Sequence, residues 1–198
     1  VGHSTTGTLN AASGNTGVGL AAMDAITSGD DNVAIGFRSG TSLTTGNSNV
    51  LIGKDCGYTG STALVSNTAV GRAALNTNNS TDNTAIGRNS LYYTTGVSNT
   101  AVGKDSGIGA SSSSYNYNAL FGKDAGSALT TGGYNTILGH TAGSNITSGS
   151  GNVMIGDIDA ASATGDRQLK IVGYDGTTTT TWIDGDSSGN VTMPAEVA

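Results

Sequence analysis

Cysteine, proline and charge are what this chain has least of. One cysteine, Cys56, excludes an intrachain disulfide. One proline beside 32 glycines, with no three-residue period, excludes collagen. Charged residues make up only 11%, well under the typical value of about 25%. The polar surface must therefore come from Ser, Thr and Asn. Eight Lys and Arg stand against 14 Asp and Glu, a net charge of −6, which argues against a nucleic-acid partner. No apolar run approaches the ~20 residues of a membrane span, so membrane insertion is not expected.

What the chain has instead is a repeated phrase. Asn stands four residues before Gly at Asn15, Asn32, Asn49, Asn67, Asn83, Asn99, Asn118, Asn135 and Asn152. The glycines, Gly19 to Gly156, follow one another at intervals of 17, 17, 18, 16, 16, 19, 17 and 17 residues. Val1-Gly2 fits one interval upstream, so a longer parent chain is expected. Gly173 fits one interval downstream, in a copy whose Asn is lost. Recurrence in register is the mark of a stacked architecture, whereas a catalytic motif is written once.

The columns of this alignment are uniform. Before each Gly stands a large apolar residue: Val18, Ile35, Ile52, Val70, Ile86, Val102, Phe121, Leu138 or Ile155. Two places earlier stands Thr or Val in every copy except at Ala119. The column between them is apolar and often small, as at Ala34, Ala69, Ala85 and Ala101. A short strand shielded from water on both faces is expected. Three places after Gly comes a small residue, with Cys56 in an Ala/Ser slot and so read as a buried thiol. Turns such as Thr-Thr-Gly at 94–96 close each unit.

A period near 17 is too short for helical-hairpin repeats and suits a coil of two short strands and two turns. The expected fold is all-β: a trimeric parallel β-solenoid, or β-roll, over 1–165, with a small β C-terminal cap or transition segment at 166–198. The Asn column becomes a structural ladder, each amide bonding to the next. Each coil has a thin core. The outer columns are therefore placed inside, and the Ala column outside, at an axis shared with other copies. The residues themselves imply association, not its order.

Units reading Asn-Thr-Ala-Val-Gly-Lys, as at 99–104, resemble the shaft repeats of bacteriophage tail fibres and, less closely, the head repeats of trimeric autotransporter adhesins, whose repeat is shorter. The likeness covers residues 1 to about 165, and 180–193 resembles the segment that follows such shafts. It implies a left-handed homotrimeric roll on a virion tail fibre, or on a bacterial cell surface in the adhesin case. Implied partners are other copies of the chain, other tail or fibre components, and a host surface glycan or protein.

Candidate chemistry is sparse. The residue after Gly is basic at Lys54, Arg72, Arg88, Lys104 and Lys123, and His3 and His140 share the column. It reads either as a basic stripe for anionic glycans or as a solvated edge neutralised by adjacent Asp. Tyr92, Tyr93, Tyr115 and Tyr117 are candidate surface-recognition residues, because Tyr offers a flat apolar face with a polar tip. Asp184, Asp186 and Ser188 resemble the start of a calcium loop. Ala195 falls where that loop needs Glu, and Glu196 is one place late, so a hairpin turn is preferred and no metal or cofactor is expected. The carboxylate pairs Asp30/Asp31, Asp157/Asp159 and Asp184/Asp186 lie in no break of the repeat that would build a cleft, and enzyme activity is not expected. An ice-binding solenoid needs an outward rank of Thr; the Thr column is placed inward, which counts against it.

Overall fold

The computed structural model describes residues 12–58, 60, 62–76 and 80–193. It is all-β, a single sheet of twelve strands in sequence order. Nine three-residue strands form a β-solenoid of one strand per coil: β1 (Thr16–Val18), β2 (Val33–Ile35), β3 (Val50–Ile52), β4 (Thr68–Val70), β5 (Thr84–Ile86), β6 (Thr100–Val102), β7 (Ala119–Phe121), β8 (Thr136–Leu138) and β9 (Val153–Ile155). Neighbours pair in parallel with equivalent residues side by side, Ala85 beside Ala101 and Leu120 beside Ile137. The second strand expected in each coil is reduced to isolated bridges such as Asn47 with Val65 and Thr94 with Ser113. Turns make up the remainder of each coil. Among the described residues no helix is long and apolar enough to cross a membrane.

The Gly column is dictated by close approach. From Gly19 to Gly139 these residues have φ between 130° and 146°. A Cβ at Gly103 would lie 2.3 Å from the carbonyl oxygen of Gly122 in the next coil, and the same collision recurs at each position. Only glycine lets successive coils stack here.

The core reverses one expectation. The middle column of the strand points into the coil: Ala34, Leu51, Ala69, Ala85, Ala101, Leu120, Ile137 and Met154 are all fully buried. The two flanking columns face outward. A coil this short encloses one inward side chain from the strand and one from the opposite turn, too little room for two large flanking residues. Bulk is traded across that space. Leu75 and Leu91, fully buried, belong to coils whose strands carry Ala69 and Ala85. Gly57 and Gly126 occupy the same turn position where a Cβ would press, at 3.0 Å, on Leu51 and Leu120. Large meets small, which keeps packing dense along the stack. Leu43, Leu64, Leu129 and Ile146 fill the opposite side. The small column after Gly is buried too, and Ser39, Ser90 and Ser106 donate to the carbonyls of Leu51, Ala101 and Leu120 in the following strand. Cys56 takes the same place against Ala69, and burial pushes its thiol up to about 12, so it is inert as a nucleophile.

The Asn ladder forms as expected. The side-chain oxygen of Asn83 accepts from the backbone N–H and the amide of Asn99 at 2.9 and 3.1 Å, and Asn99 accepts likewise from Asn118 at 3.0 Å for both. From Asn15 to Asn135 each amide also donates to a carbonyl nearer the next rung, Asn99 to Tyr115, whereas the buried Asn152 amide nitrogen has no partner among the described residues. From Asn32 onward these side chains are buried. The last rung is a correction. Leu169 pairs with Val153, so Gln168 takes the place of Asn, and Val172, not Gly173, stands opposite Gly156. Gln168 completes the ladder by donating to Asn152 from its backbone and its amide.

β10 (Leu169–Tyr174) is still parallel to β9 over its first three residues. It then pairs antiparallel with β11 (Thr179–Gly185), which pairs antiparallel with β12 (Val191–Thr192). Gly173 makes room for the Trp182 ring, which lies 2.4 Å from where a Cβ would sit.

Candidate functional site

Three features on the outside of the stack could act on something else. The first is the sheet face. Because the middle column is inward, the flanking residues form an exposed apolar ladder. Val18, Ile35, Ile86, Phe121 and Leu138 are 39–50% exposed, unusual for side chains so large and so regularly placed. Ile52, Val70, Val102 and Ile155 continue the ladder half-buried, and Thr or Val runs beside it. Self-association was expected through the Ala column; that column is sealed inside its own coil, and the available face is the opposite one. The Thr column also lies outward, which removes the ground for discounting an ice-binding surface.

The second feature is the cationic column. Its members are mostly neutralised. Lys104 and Lys123 lie 2.9 and 2.6 Å from Asp105 and Asp124, Lys54 is 4.0 Å from Asp55, and Arg88 is 3.9 Å from Asp105. Burial pushes the Asp105 carboxyl up, but hydrogen bonds from Lys104 and Asn89 outweigh it and leave the group below its ordinary value. His140 bonds Asp157 at 3.0 Å; that contact and one from the Thr141 hydroxyl hold Asp157 low. The solvated-edge reading therefore describes most of the column. Arg72 is the exception: its carbonyl accepts from the Asn89 N–H, but its guanidinium has no hydrogen bond or ion pair to a described residue. His3 lies outside the described residues.

The third feature is the tyrosines, which separate into three environments. Tyr115 is not on the surface: it is fully buried, and its hydroxyl donates to the carbonyl of Gly107. The long coil from Gly103 to Gly122 has Ala110 where other coils carry a core aliphatic, and Tyr115 fills that gap. Burial pushes its hydroxyl pKa up. Tyr117 is 50% exposed and stacks on Tyr134 of the next coil at 4.9 Å, with planes 18° apart. Tyr92 and Tyr93, half-buried, meet edge to face at 4.4 Å. They line a cleft of about 440 Å³ together with Arg38, Tyr58 and Arg72. Arg38 stood among no candidates, and Arg72 only as one member of the basic column; the signal that sets Arg72 apart was Ala73, standing where the Lys54, Lys104 and Lys123 coils place Asp beside the cation.

Residues 186–190 form the turn between β11 and β12, with Asp184 in the strand before it. Asp186 accepts from the N–H groups of Ser188 and Asn190 at 2.9 and 3.0 Å and from the Asn190 amide at 2.8 Å. The Asn190 amide and these N–H groups hold its carboxyl below the usual range. Asp184 faces Lys170 at 3.7 Å. Ser188 donates its N–H to Asp186, as a residue inside a tight turn does. Among the described residues no three His, Cys, Asp or Glu side chains cluster to hold a metal. Ala195 and Glu196 lie outside the described residues.

No protein-family model matches this chain, and no curated protein or solved structure matches it.

Proposed function

We propose that the chain is a structural and adhesive fibre segment. In this reading three copies assemble into a stiff phage tail-fibre shaft on the virion that also contacts the host cell surface. The observation that carries it is the exposed ladder from Val18 to Ile155. Its rungs repeat at the strand spacing of about 4.8 Å. A second copy of the same chain carries the same period and so stays in register along the whole ladder, where an unrelated surface would soon drift out of step. Burial of such side chains contributes about 1.5–3 kcal/mol each when complete, and along the ladder it is unfinished in every coil. A bacterial adhesin head uses the same physics in another setting.

The first experiment is the solution mass by light scattering after size exclusion. A mass three times the 19.5 kDa of one chain, persisting on dilution, is the expected result. Replacing Phe121 and Leu138 together with Lys on the ladder then yields a folded monomer. A wild-type monomer overturns the assembly.

A second reading is favoured by one observation: Thr16, Thr68, Thr84, Thr100 and Thr136 lie on the outward face of a regular sheet, as an ice-binding surface requires. Val33, Val50, Ala119 and Val153 interrupt that rank, and Phe121 and Leu138 roughen it. Thermal hysteresis from a monomeric preparation would put this reading first.

A further inference from the structure

We propose that the cleft around Arg72 binds the carboxylate of an acidic sugar, a uronate or sialate unit within a glycan chain. This supplies a ligand class for the host-surface contact and rests on that part of the functional reading. It is independent of assembly, since every lining residue comes from one chain and none belongs to the exposed ladder.

The site arises from a local break in a rule. The position after each basic residue takes the left-handed conformation, with φ of 57°, 55°, 56°, 57° and 58° at Asp55, Ala73, Asn89, Asp105 and Asp124. In the third, sixth and seventh coils an Asp there meets the cation beside it. In the fourth coil the position is Ala73, which cannot. Arg72 is exposed and its guanidinium donors are unclaimed among the described residues, in a chain of net charge −6. A guanidinium presents a planar fork that fits a carboxylate with two parallel hydrogen bonds.

The walls are built for a ring. On one side Arg38 is held by Asp55 at 2.7 Å and lies 4.4 Å from the centre of the Tyr58 ring. That arginine is spent on positioning Tyr58. On the other side stand Tyr92 and Tyr93. The Asn76 and Asn89 amide groups donate to the carbonyl of Asp55 and the carboxylate of Asp105, and their own oxygens have no partner among the described residues. They can accept from sugar hydroxyls. Aromatic faces, amide acceptors and one free guanidinium suit a carboxylated sugar better than a bare inorganic anion, which needs no aromatic wall. A polyanionic nucleic acid would meet Asp55 with no further free cation among the described lining residues. The volume of about 440 Å³ lies in the range of small-ligand pockets and fits one or two sugar rings.

The test is titration calorimetry on the whole chain with trigalacturonate and a sialyl trisaccharide, each beside its carboxyl-reduced counterpart, with arginine Nε–Hε NMR shifts recorded in parallel. Triglutamate and inorganic phosphate serve as carboxylate and anion probes without a sugar ring. At least one acidic sugar is expected to bind and to shift the Arg72 resonance, and its reduced counterpart to bind at least about tenfold more weakly. Arg72→Gln loses about tenfold or more, Arg72→Lys keeps part of the affinity, and Arg167→Gln, remote from the cleft, changes nothing. Arg72 is exposed, so its variants should fold, and unchanged thermal melting confirms it. The proposal is overturned if neither acidic sugar binds, if the reduced sugar binds equally, if Arg72→Gln has no effect, or if triglutamate or phosphate binds as tightly. Light scattering on the same samples separates the two ideas. A trimer that binds no acidic sugar refutes the cleft alone, and a monomer that does bind refutes the assembly alone.

Discussion

The nine-coil stack and the antiparallel segment that follows it hold their shape by different means. From β2 to β9 each strand has a parallel neighbour on both sides, and every coil contributes to one continuous apolar cluster that ends at Ala160. From 173 to 193 no residue is buried. There the strands keep their pairing through backbone hydrogen bonds, the Asp186 turn and the Trp182 ring lying against Gly173. In the stack a residue is fixed by its equivalents one coil above and below. In the hairpin it is fixed by its sequence neighbours. Errors should therefore propagate in the first region and stay local in the second, as expected of a quasi-one-dimensional repeat array.

Gly103→Ala should break this comparison most sharply. Its φ of 138° and the 2.3 Å approach to the Gly122 oxygen leave a methyl group no space without parting two coils. A loss of about 4 kcal/mol in urea denaturation is expected from strain plus overpacking. Gly176→Ala, with φ of 100° but nothing within 4 Å, should cost only the backbone strain, about 1–2 kcal/mol, and leave the stack unchanged. Equal losses would mean that the coils can separate freely.

Asn99→Ala comes next. It removes the acceptor for the Asn118 N–H and amide, and the donor to the Tyr115 carbonyl, all in a buried row. A cost of about 3 kcal/mol is expected, with faster amide exchange in both adjoining coils. Thr180→Ala in the hairpin, exposed and paired through its backbone, should stay within about 0.5 kcal/mol.

Acid should act mainly through the stack. Asp157 is held low by His140 and Thr141 of the preceding coil. A carboxyl whose folded-state pKa is depressed stabilises the fold above its unfolded value and loses that contribution as pH falls through the folded value. The melting temperature should decline as pH drops below about 4, and Asp157→Asn should reduce the decline. Asp186→Asn, in an exposed turn, should alter the acid profile less.

The smallest expected effect is a gain. Ser66 holds φ of 56° in the column where Gly14 and Gly151 stand. Ser66→Gly should stabilise the stack by about 0.5 kcal/mol, relieved backbone strain exceeding the added chain entropy. A loss would show that the Ser side chain contributes more than its conformation costs.

The sequence by itself determined the repeat, the Asn ladder, the Gly column and the all-β class. Each of these depends on contact between a residue and its own equivalent one coil away, and a period written in sequence states that contact directly. It also marked Cys56 as a core residue, because an Ala/Ser column admits only a small buried side chain. Tertiary structure decided what depends on volume. Ala101 and Val102 are both apolar, and nothing in their order tells which one faces in; the narrow interior of the coil has room only for the middle side chain of each strand, here Ala101, and leaves the flanking Val102 on the outside. The same volume rule drew Tyr115 inward to replace a missing aliphatic, against its reading as a surface residue. It placed Gln168 as the last ladder rung, since parallel pairing outranked alignment on Gly173. Arg72 gained its distinction in the same way. Its residue type was plain in the sequence, but its lack of a partner emerges only when neighbouring coils are stacked and Ala73 is seen where an Asp would have met it.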